Sequence, residues 1–249
     1  MNRDIVICAT QRSGSTLLCE DMRATRHLGQ PNEFFVPCLD SVPTADWPER
    51  LATDRARFST RNGVYAVKVM MNYLGDIDAA LAEAFRKPPA ADAGPFPHFR
   101  DHFADAHFIW LRRINLTEQA ISREMARQTG VTHAVEDAEN PFFAGKGTAS
   151  YQSDYNKGAV VEVDDVIAEI NAIAQENEKW QYVFSRWGIE PLMLEYETIL
   201  DDPRAHVRRI AEFTGIELPD WQPQRRLKKL ANARSAALYD RVLQALLRG

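Results

Sequence analysis

The sequence predicts an α/β fold in which a parallel sheet is flanked by helices. Two observations support this prediction. The first is a set of short apolar runs rich in β-branched residues, which is typical of buried strands. The second is that these runs alternate with longer segments in which apolar residues recur at helical spacing. Strands that are separated by helices form parallel sheets covered on both faces. Because ligands bind at the carboxyl ends of the strands in such sheets, the strand ends are where functional residues are expected.

The elements of the amino-terminal half follow from this alternation. The apolar run 4–9 predicts a strand, and Leu17, Leu18 and Met22 after it recur at helical spacing. Segment 31–48 is punctuated by prolines, segment 64–70 resumes the strand pattern, and 77–87 is helical in pattern, with Asp76 as a possible cap. The Pro- and Ala-rich segment 88–97 is expected to be a surface loop.

The carboxyl-terminal half repeats the pattern with longer helices. The expected elements are a strand at 107–111, a helix at 115–129, a long loop at 133–157, a helix at 163–187, a strand at 191–196, a helix at 203–214 and a basic amphipathic helix or helix pair at 224–247. Gly130, Gly188 and Gly215 follow three of these helices and are expected to end them. The aromatic residues of the 163–187 helix, including Trp180, are expected to be core residues.

The composition limits the classes of function. The 249 residues are 45% hydrophobic and 26% charged, which is typical of a globular protein, and we expect a single domain over residues 1–249. The net charge of −5 gives no global basic surface, so a nucleic-acid partner is not expected. The three cysteines lack metal-binding spacing, and the first apolar run is too short for a signal peptide or a transmembrane span. A cytoplasmic location is therefore expected.

The segment Thr10-Gln-Arg-Ser-Gly-Ser-Thr16 joins the first strand to the first helix. A strand, tight loop and helix in this order point free backbone N–H groups at an anion, so the loop predicts a phosphate or sulfate site. The residues expected to form it are Gln11, Arg12, Ser13, Gly14, Ser15 and Thr16. The nucleoside-triphosphate loop would need glycine at Ala9 and lysine at Ser15, and neither is present. The alternative is a polar turn whose Ser or Thr only caps the helix.

Three ordered motifs extend this loop into a family resemblance. They are Gln11-Arg-Ser-Gly-Ser-Thr-Leu-Leu18, Gly29-Gln-Pro-Asn-Glu-Phe-Phe35 and Leu111-Arg-Arg-Ile-Asn-Leu-Thr-Glu-Gln-Ala-Ile-Ser122. With them, the chain resembles bacterial carbohydrate sulfotransferases of the trehalose 2-sulfotransferase type. The resemblance implies a P-loop-like sulfotransferase fold and the co-substrate 3′-phosphoadenosine 5′-phosphosulfate (PAPS), with no metal. It also implies a sugar or glycolipid acceptor and makes a homodimer plausible.

The same resemblance places the donor's 5′-phosphosulfate on the first loop and its 3′-phosphate on the third motif. Arg113 lies just past the end of a predicted strand and Ser122 lies on the next helix, and an arginine fork with a hydroxyl suits a terminal phosphate. The spacing is one residue longer than in the eukaryotic cytosolic sulfotransferases, so Arg112 remains an alternative ligand. Without the family, the alternative is that both arginines are solvated charges at a strand end, and it is the less favoured explanation.

The expected catalytic residues are Glu33, Lys68 and Arg12. In the family that the chain resembles, the carboxylate of the second motif is the general base, and Glu33 occupies that position. Its alternative is an ordinary exposed loop carboxylate. Lys68 interrupts an apolar strand, which is costly unless it faces an anion or a partner, although a snorkelling edge-strand lysine is the alternative. The eukaryotic branch has a histidine base after a comparable strand, where this chain has Asn72.

With its three ordered motifs, the resemblance implies in-line transfer of a sulfuryl group to a hydroxyl. His98 and His102 share helical spacing, but Pro97 precedes them and no carboxylate–histidine motif surrounds them, so a metal site is not expected. Two other functions remain open. One is a small-molecule kinase, which the missing loop lysine disfavours, and the other is a non-catalytic protein that binds a nucleotide or a sulfated ligand.

Overall fold

The structure is a computed structural model that describes residues 4–86, 88, 94–135, 148–150, 152 and 154–248. Its strands are β1 (Ile5–Ala9), β2 (Ala66–Met70), β3 (His107–Arg112), β4 (His133–Val135), β5 (Thr148–Ser150) and β6 (Leu192–Glu195). Its helices are α1 (Ser15–Thr25), α2 (Phe35–Ser41), α3 (Trp47–Phe58), α4 (Leu74–Phe85), α5 (Pro97–His102), α6 (Leu116–Thr129), α7 (Val163–Trp187), α8 (Tyr196–Asp201), α9 (Pro203–Thr214) and α10 (Ala233–Leu246).

The described chain forms two compact units. The first contains Met1–Arg112 and Glu176–Gln224, and the second contains Arg113–Gln175 and Arg225–Gly249. The chain therefore passes from one unit to the other at three points: between Arg112 and Arg113, within α7, and between Gln224 and Arg225. The expectation of a single domain over residues 1–249 stays a prediction.

The first unit is built on a parallel sheet with the strand order β2-β1-β3-β6. One face is covered by α2, α3, α4, α5 and the last turns of α7, and the other face is covered by α1, α8 and α9. Alternate residues of each strand feed the two cores, as the strand period requires. In β2, Val67 and Val69 belong to the first core, whereas Ala66 and Met70 belong to the second. The predicted fold class is confirmed.

The second unit has its own apolar core, made by α6, the first part of α7 and α10. Asn115 caps α6 by accepting a hydrogen bond from the Glu118 N–H, and Gly130 ends the helix with a φ of 69°. Strands β4 and β5 pair in parallel, and Val135 also bridges to Leu227. The predicted loop at 133–157 therefore contains a short pair of strands, and its residues 136–147, 151 and 153 lie outside the described residues.

Most predicted elements are confirmed, and the differences concern short helices at prolines. Helices α3 and α5 begin with proline in their first turn, where the missing N–H is not needed, and neither was expected from the proline-rich segments. Helix α4 begins at Leu74 with Tyr73 as its N-cap, so Asp76 lies in the first turn and is not the cap. Helix α8 starts directly after β6 and was also missed. Residues 224–232 are not helical, and α10 alone forms the expected carboxyl-terminal helix.

Candidate active site

The loop between β1 and α1 has an unusual backbone. Arg12 has a φ of 64° and Gly14 a φ of 87°. A left-handed conformation is strained for arginine, and strain of this kind clusters at functional sites. The N-cap of α1 is Gly14, which makes no side-chain cap hydrogen bond, and the first turn holds no acidic residue. The alternative in which a Ser or Thr side chain caps this helix is therefore wrong.

The loop also presents polar side chains. Ser13 is fully buried, and within the described part of the chain its hydroxyl has no hydrogen-bond partner. A buried hydroxyl without a partner is costly, and a bound anion oxygen would satisfy it. Ser15 is buried beside it, while Gln11, Arg12 and Thr16 are half-buried. The helix N-terminus, the free hydroxyl and the arginine together suit an oxyanion.

Tyr196 packs directly against the loop. A Cβ atom at Gly14 would lie 2.2 Å from Cδ2 of the Tyr196 ring. Tyr196 is the first residue of α8, immediately after β6, so the carboxyl end of another strand supports the loop from the side. Glycine at position 14 is thus required both by the left-handed backbone and by the ring beside it.

The segment that carries Glu33 runs along the free edge of β2. Gly29 lies so close to this strand that a Cβ atom there would be 2.6 Å from the Ala66 Cβ. The Lys68 backbone N–H donates to the Asn32 carbonyl oxygen over 3.0 Å, and Arg23 on α1 donates to the Pro31 carbonyl oxygen over 2.7 Å. The second motif is therefore fixed beside the strand that carries Lys68.

Lys68 joins the loop to Glu33. Its Nζ donates to Thr16 Oγ1 over 3.1 Å and lies 3.3 Å from Glu33 Oε2. The Lys68 side chain is only 4% exposed, although β2 is an edge strand, so the alternative of a snorkelling lysine is wrong. The Glu33 side chain is 18% exposed, so it is not an ordinary exposed loop carboxylate either.

Tyr73 is a further member of this cluster, and the sequence analysis missed it. Its hydroxyl donates to Glu33 Oε1 over 2.8 Å. Burial and the neighbouring Glu33 carboxylate raise the pKa of the Tyr73 hydroxyl well above its ordinary value. Asn72, which the comparison with the eukaryotic branch singles out, is exposed, whereas the residue that reaches the carboxylate is the next one along the chain. The available signal was an aromatic residue with a hydroxyl group three residues after the end of β2.

The two candidate phosphate-binding arginines have different surroundings. Arg112 ends β3, where its Nη2 lies 3.6 Å from Glu195 Oε1 and its guanidinium stacks over the Trp110 ring. Arg113 belongs to the second unit, is buried there, and donates to Glu118. Ser122 lies on α6 of the same unit. The choice between Arg112 and Arg113, and the role of Ser122, stay predictions.

The remaining candidates are structural. Trp180 is fully buried and donates from Nε1 to the Ala9 carbonyl oxygen over 2.9 Å, which confirms its assignment to the core. Burial lowers the pKa of His102, which packs against Phe35 and Phe103, to about 4.

Among the described residues, no group of His, Cys, Asp and Glu side chains is arranged to hold a metal ion. Nor does any described helix combine the length and apolarity needed to cross a bilayer.

Chemically, this cluster brings an anion-binding loop and a carboxylate to one edge of a parallel sheet. Lys68 lies between them, in contact with both. A carboxylate can accept the proton of a hydroxyl, and the neighbouring loop suits an anionic group. The arrangement therefore suits the transfer of an anionic group to a hydroxyl.

Comparison with known proteins agrees with this chemistry. The model of the Stf0 sulphotransferase family matches residues 4–244. Trehalose 2-sulfotransferase of Mycobacterium tuberculosis is 26% identical over 272 residues, which cover 96% of this chain and 94% of the relative. The enzyme of the same name from Mycolicibacterium smegmatis is 25% identical over 269 residues, which cover 95% of this chain and 92% of the relative.

Among solved structures, the sulfotransferase domain from the Synechococcus PCC 7002 olefin synthase is matched with a TM-score of 0.39 and 16% identity. That alignment covers 88% of this chain and 74% of the other. The family model, in contrast, spans nearly the whole sequence, including the loop, Glu33 and Lys68. The resemblance drawn from the three motifs is confirmed, and the chain belongs to the Stf0 sulphotransferase family.

Proposed function

We propose that the protein transfers a sulfuryl group from PAPS to a hydroxyl of a sugar or glycolipid. The observation that carries this proposal is the contact of Lys68 with both Thr16 of the anion-binding loop and the Glu33 carboxylate. Membership of a sulfotransferase family supports the reaction class. The name trehalose 2-sulfotransferase, carried by two relatives, supports a sugar as the acceptor.

The loop residues suit the 5′-phosphosulfate of the donor. In the proposed complex, the first-turn N–H groups of α1 and the hydroxyls of Ser13, Ser15 and Thr16 donate to its oxygens. The buried Ser13 hydroxyl, which has no other partner among the described residues, then gains one. Gln11 and Arg12 complete the loop, and the positive charge of Arg12 attracts the anion. Gly14 lets the backbone approach closely.

In the proposed reaction, the acceptor hydroxyl oxygen attacks the sulfur atom in line with the bond to the leaving phosphate. The new S–O bond forms as the bond between sulfur and the bridging oxygen breaks. Glu33 takes the proton of the hydroxyl, and the bridging oxygen leaves as a phosphate oxygen of adenosine 3′,5′-bisphosphate. Lys68 and Arg12 stabilise the charge that develops on that phosphate, so they act more strongly in the transition state than in the ground state.

For the 3′-phosphate of the donor, we retain the assignment to Arg113 and Ser122. The contact of the Arg113 guanidinium with the Glu118 carboxylate supports this assignment, because a carboxylate and a phosphate both offer anionic oxygens. An arginine fork binds a phosphate by the same pattern of parallel donors.

The test is transfer from PAPS labelled in its sulfuryl group to a panel of sugars and glycolipids, in the absence of added metal. We expect label in a sugar product together with release of adenosine 3′,5′-bisphosphate. Thermal shift with that bisphosphate and with Mg²⁺–ATP separates a sulfotransferase from a kinase, because a specific ligand stabilises the folded state. Stabilisation by Mg²⁺–ATP alone would contradict the proposal, and binding without transfer to any acceptor would indicate a non-catalytic protein. Light scattering tests the expected homodimer.

A further inference from the structure

We propose that Tyr73 is a positioning residue, which holds the Glu33 carboxylate in the orientation that accepts a proton from the acceptor hydroxyl. The inference rests on the proposed function, because it assigns Tyr73 a task in the same site. It is carried by the hydrogen bond of 2.8 Å from the Tyr73 hydroxyl to Glu33 Oε1.

The two oxygens of the Glu33 carboxylate contact different side chains. Tyr73 donates to Oε1, while the Lys68 ammonium lies 3.3 Å from Oε2. With both oxygens held from different sides, the plane of the carboxylate is fixed. Each carboxylate oxygen has about two lone-pair sites, so an oxygen that accepts one hydrogen bond can still accept a proton. An aligned acceptor matters because a displacement of about 1 Å can lower a rate by about 100-fold.

Tyr73 itself is held firmly. It lies in the single 3-10 turn Met71–Tyr73 that joins β2 to α4, so its backbone follows the strand end directly. Its ring packs against both apolar cores of the first unit. A hydroxyl anchored in this way fixes its partner, whereas a hydroxyl on a mobile loop would follow the movements of that partner.

The proton stays on Tyr73. Burial, followed by the negative charge of Glu33, raises the pKa of the Tyr73 hydroxyl well above its ordinary value. Tyr73 is therefore the donor in this hydrogen bond near neutral pH and does not act as the base. Among the described residues, the groups that face the pair include Lys68 on β2, Cys19 on α1 and the backbone of Met70. Of these, Lys68 carries the positive charge.

The test compares Tyr73→Phe with the wild type. Phenylalanine keeps the ring in the two cores and removes only the O–H donor. We expect kcat to fall by about 10- to 100-fold while KM for PAPS stays within about 2-fold. A donor to a carboxylate stabilises its charged form, so without it the acid limb of the pH profile of kcat should move to higher pH. Tyr65→Phe is the matched control, since Tyr65 is a buried tyrosine of the same unit and lies outside this cluster.

The outcomes separate the positioning role from the proposed function. If the wild type transfers sulfuryl groups and Tyr73→Phe retains both its kcat and its pH profile, the positioning role is refuted and the proposed function stands. If the wild type transfers to no acceptor, the proposed function fails, and the catalytic task of Tyr73 fails with it. Titration of the Glu33 carboxyl by ¹³C NMR does not depend on turnover. A midpoint in Tyr73→Phe equal to that of the wild type would refute the stabilising contact itself.

Discussion

Gly14→Ala should damage both stability and donor binding, and the structure allows the two causes to be separated. Gly14 has a φ of +87°, and an added Cβ would lie 2.2 Å from Cδ2 of Tyr196. The left-handed backbone costs about 1–2 kcal/mol for a residue with a side chain. Ordinary carbon contacts are about 3.5 Å or longer, so the Tyr196 ring must also move by at least about 1.3 Å, and overpacking of this kind costs about 1–3 kcal/mol.

Gly63→Ala is the matched control for the backbone contribution. Gly63 has a φ of +79°, and a Cβ there would meet nothing within 4 Å. Urea unfolding should therefore show a loss of about 1–2 kcal/mol for Gly63→Ala and about 2–5 kcal/mol for Gly14→Ala. The difference between the two variants measures the clash with Tyr196. A Gly14→Ala/Tyr196→Ala double variant should show positive coupling, because removing the ring removes the clash.

Donor binding provides the second readout. Calorimetry with adenosine 3′,5′-bisphosphate should give at least about 10-fold weaker binding for Gly14→Ala, which corresponds to about 1.4 kcal/mol, and unchanged binding for Gly63→Ala. Equal stabilities and equal affinities for the two alanine variants would refute the reasoning. That result would mean that neither the close Tyr196 contact nor the loop backbone matters to the anion site.

Three further predictions address the base, the 3′-phosphate and pH. Glu33→Gln keeps the shape of the side chain but cannot accept a proton, so kcat in the labelled-transfer assay should fall about 100-fold or more, with KM for PAPS nearly unchanged. Arg113→Ala should weaken binding of adenosine 3′,5′-bisphosphate by about 1.5–3 kcal/mol in calorimetry, and a larger effect of Arg112→Ala would reverse the assignment. His102 titrates at about 4 in the folded state because it is buried, against 6.5 unfolded, so the unfolded state binds more protons between these values. Stability should fall as the pH drops from 6.5 to 4, and urea unfolding should show a smaller fall for His102→Phe.

Features encoded in contiguous residues could be predicted from the sequence. The alternation of strands and helices is local, so β1, β2, β3 and β6 were predicted close to their observed bounds, and α7 and α9 match exactly. The arrangement of strand, loop and helix around the proposed anion site is also local, because the three segments follow one another along the chain. The long α6 was recognisable because Asn115 and Gly130 mark its two ends.

The features that were missed depend on contacts between distant residues. Tyr73 lies 40 residues from Glu33 in sequence, and only folding brings its hydroxyl to the carboxylate. Tyr196 likewise reaches Gly14 only through folding, because β6 and β1 are parallel and their carboxyl ends lie on the same side of the sheet. Helices α3 and α5 were missed because proline was taken as a loop signal, although it is favourable in the first turn of a helix.

Tyr73 and Lys68, which both contact Glu33, differ in charge, and this difference has a use in the proposed reaction. Lys68 contacts both Thr16 and Glu33, so an anionic donor on the loop competes with Glu33 for the same ammonium group. As the donor draws Lys68 toward itself, the carboxylate loses part of the attraction that stabilises its negative charge and becomes a better proton acceptor. Tyr73 is neutral and anchored in the two cores, so it can hold the carboxylate in place while Lys68 moves. In the proposed reaction, Tyr73 and Lys68 therefore have different tasks. The Tyr73 hydroxyl keeps the Glu33 carboxylate aligned, and the movement of Lys68 toward bound PAPS makes that carboxylate a stronger base.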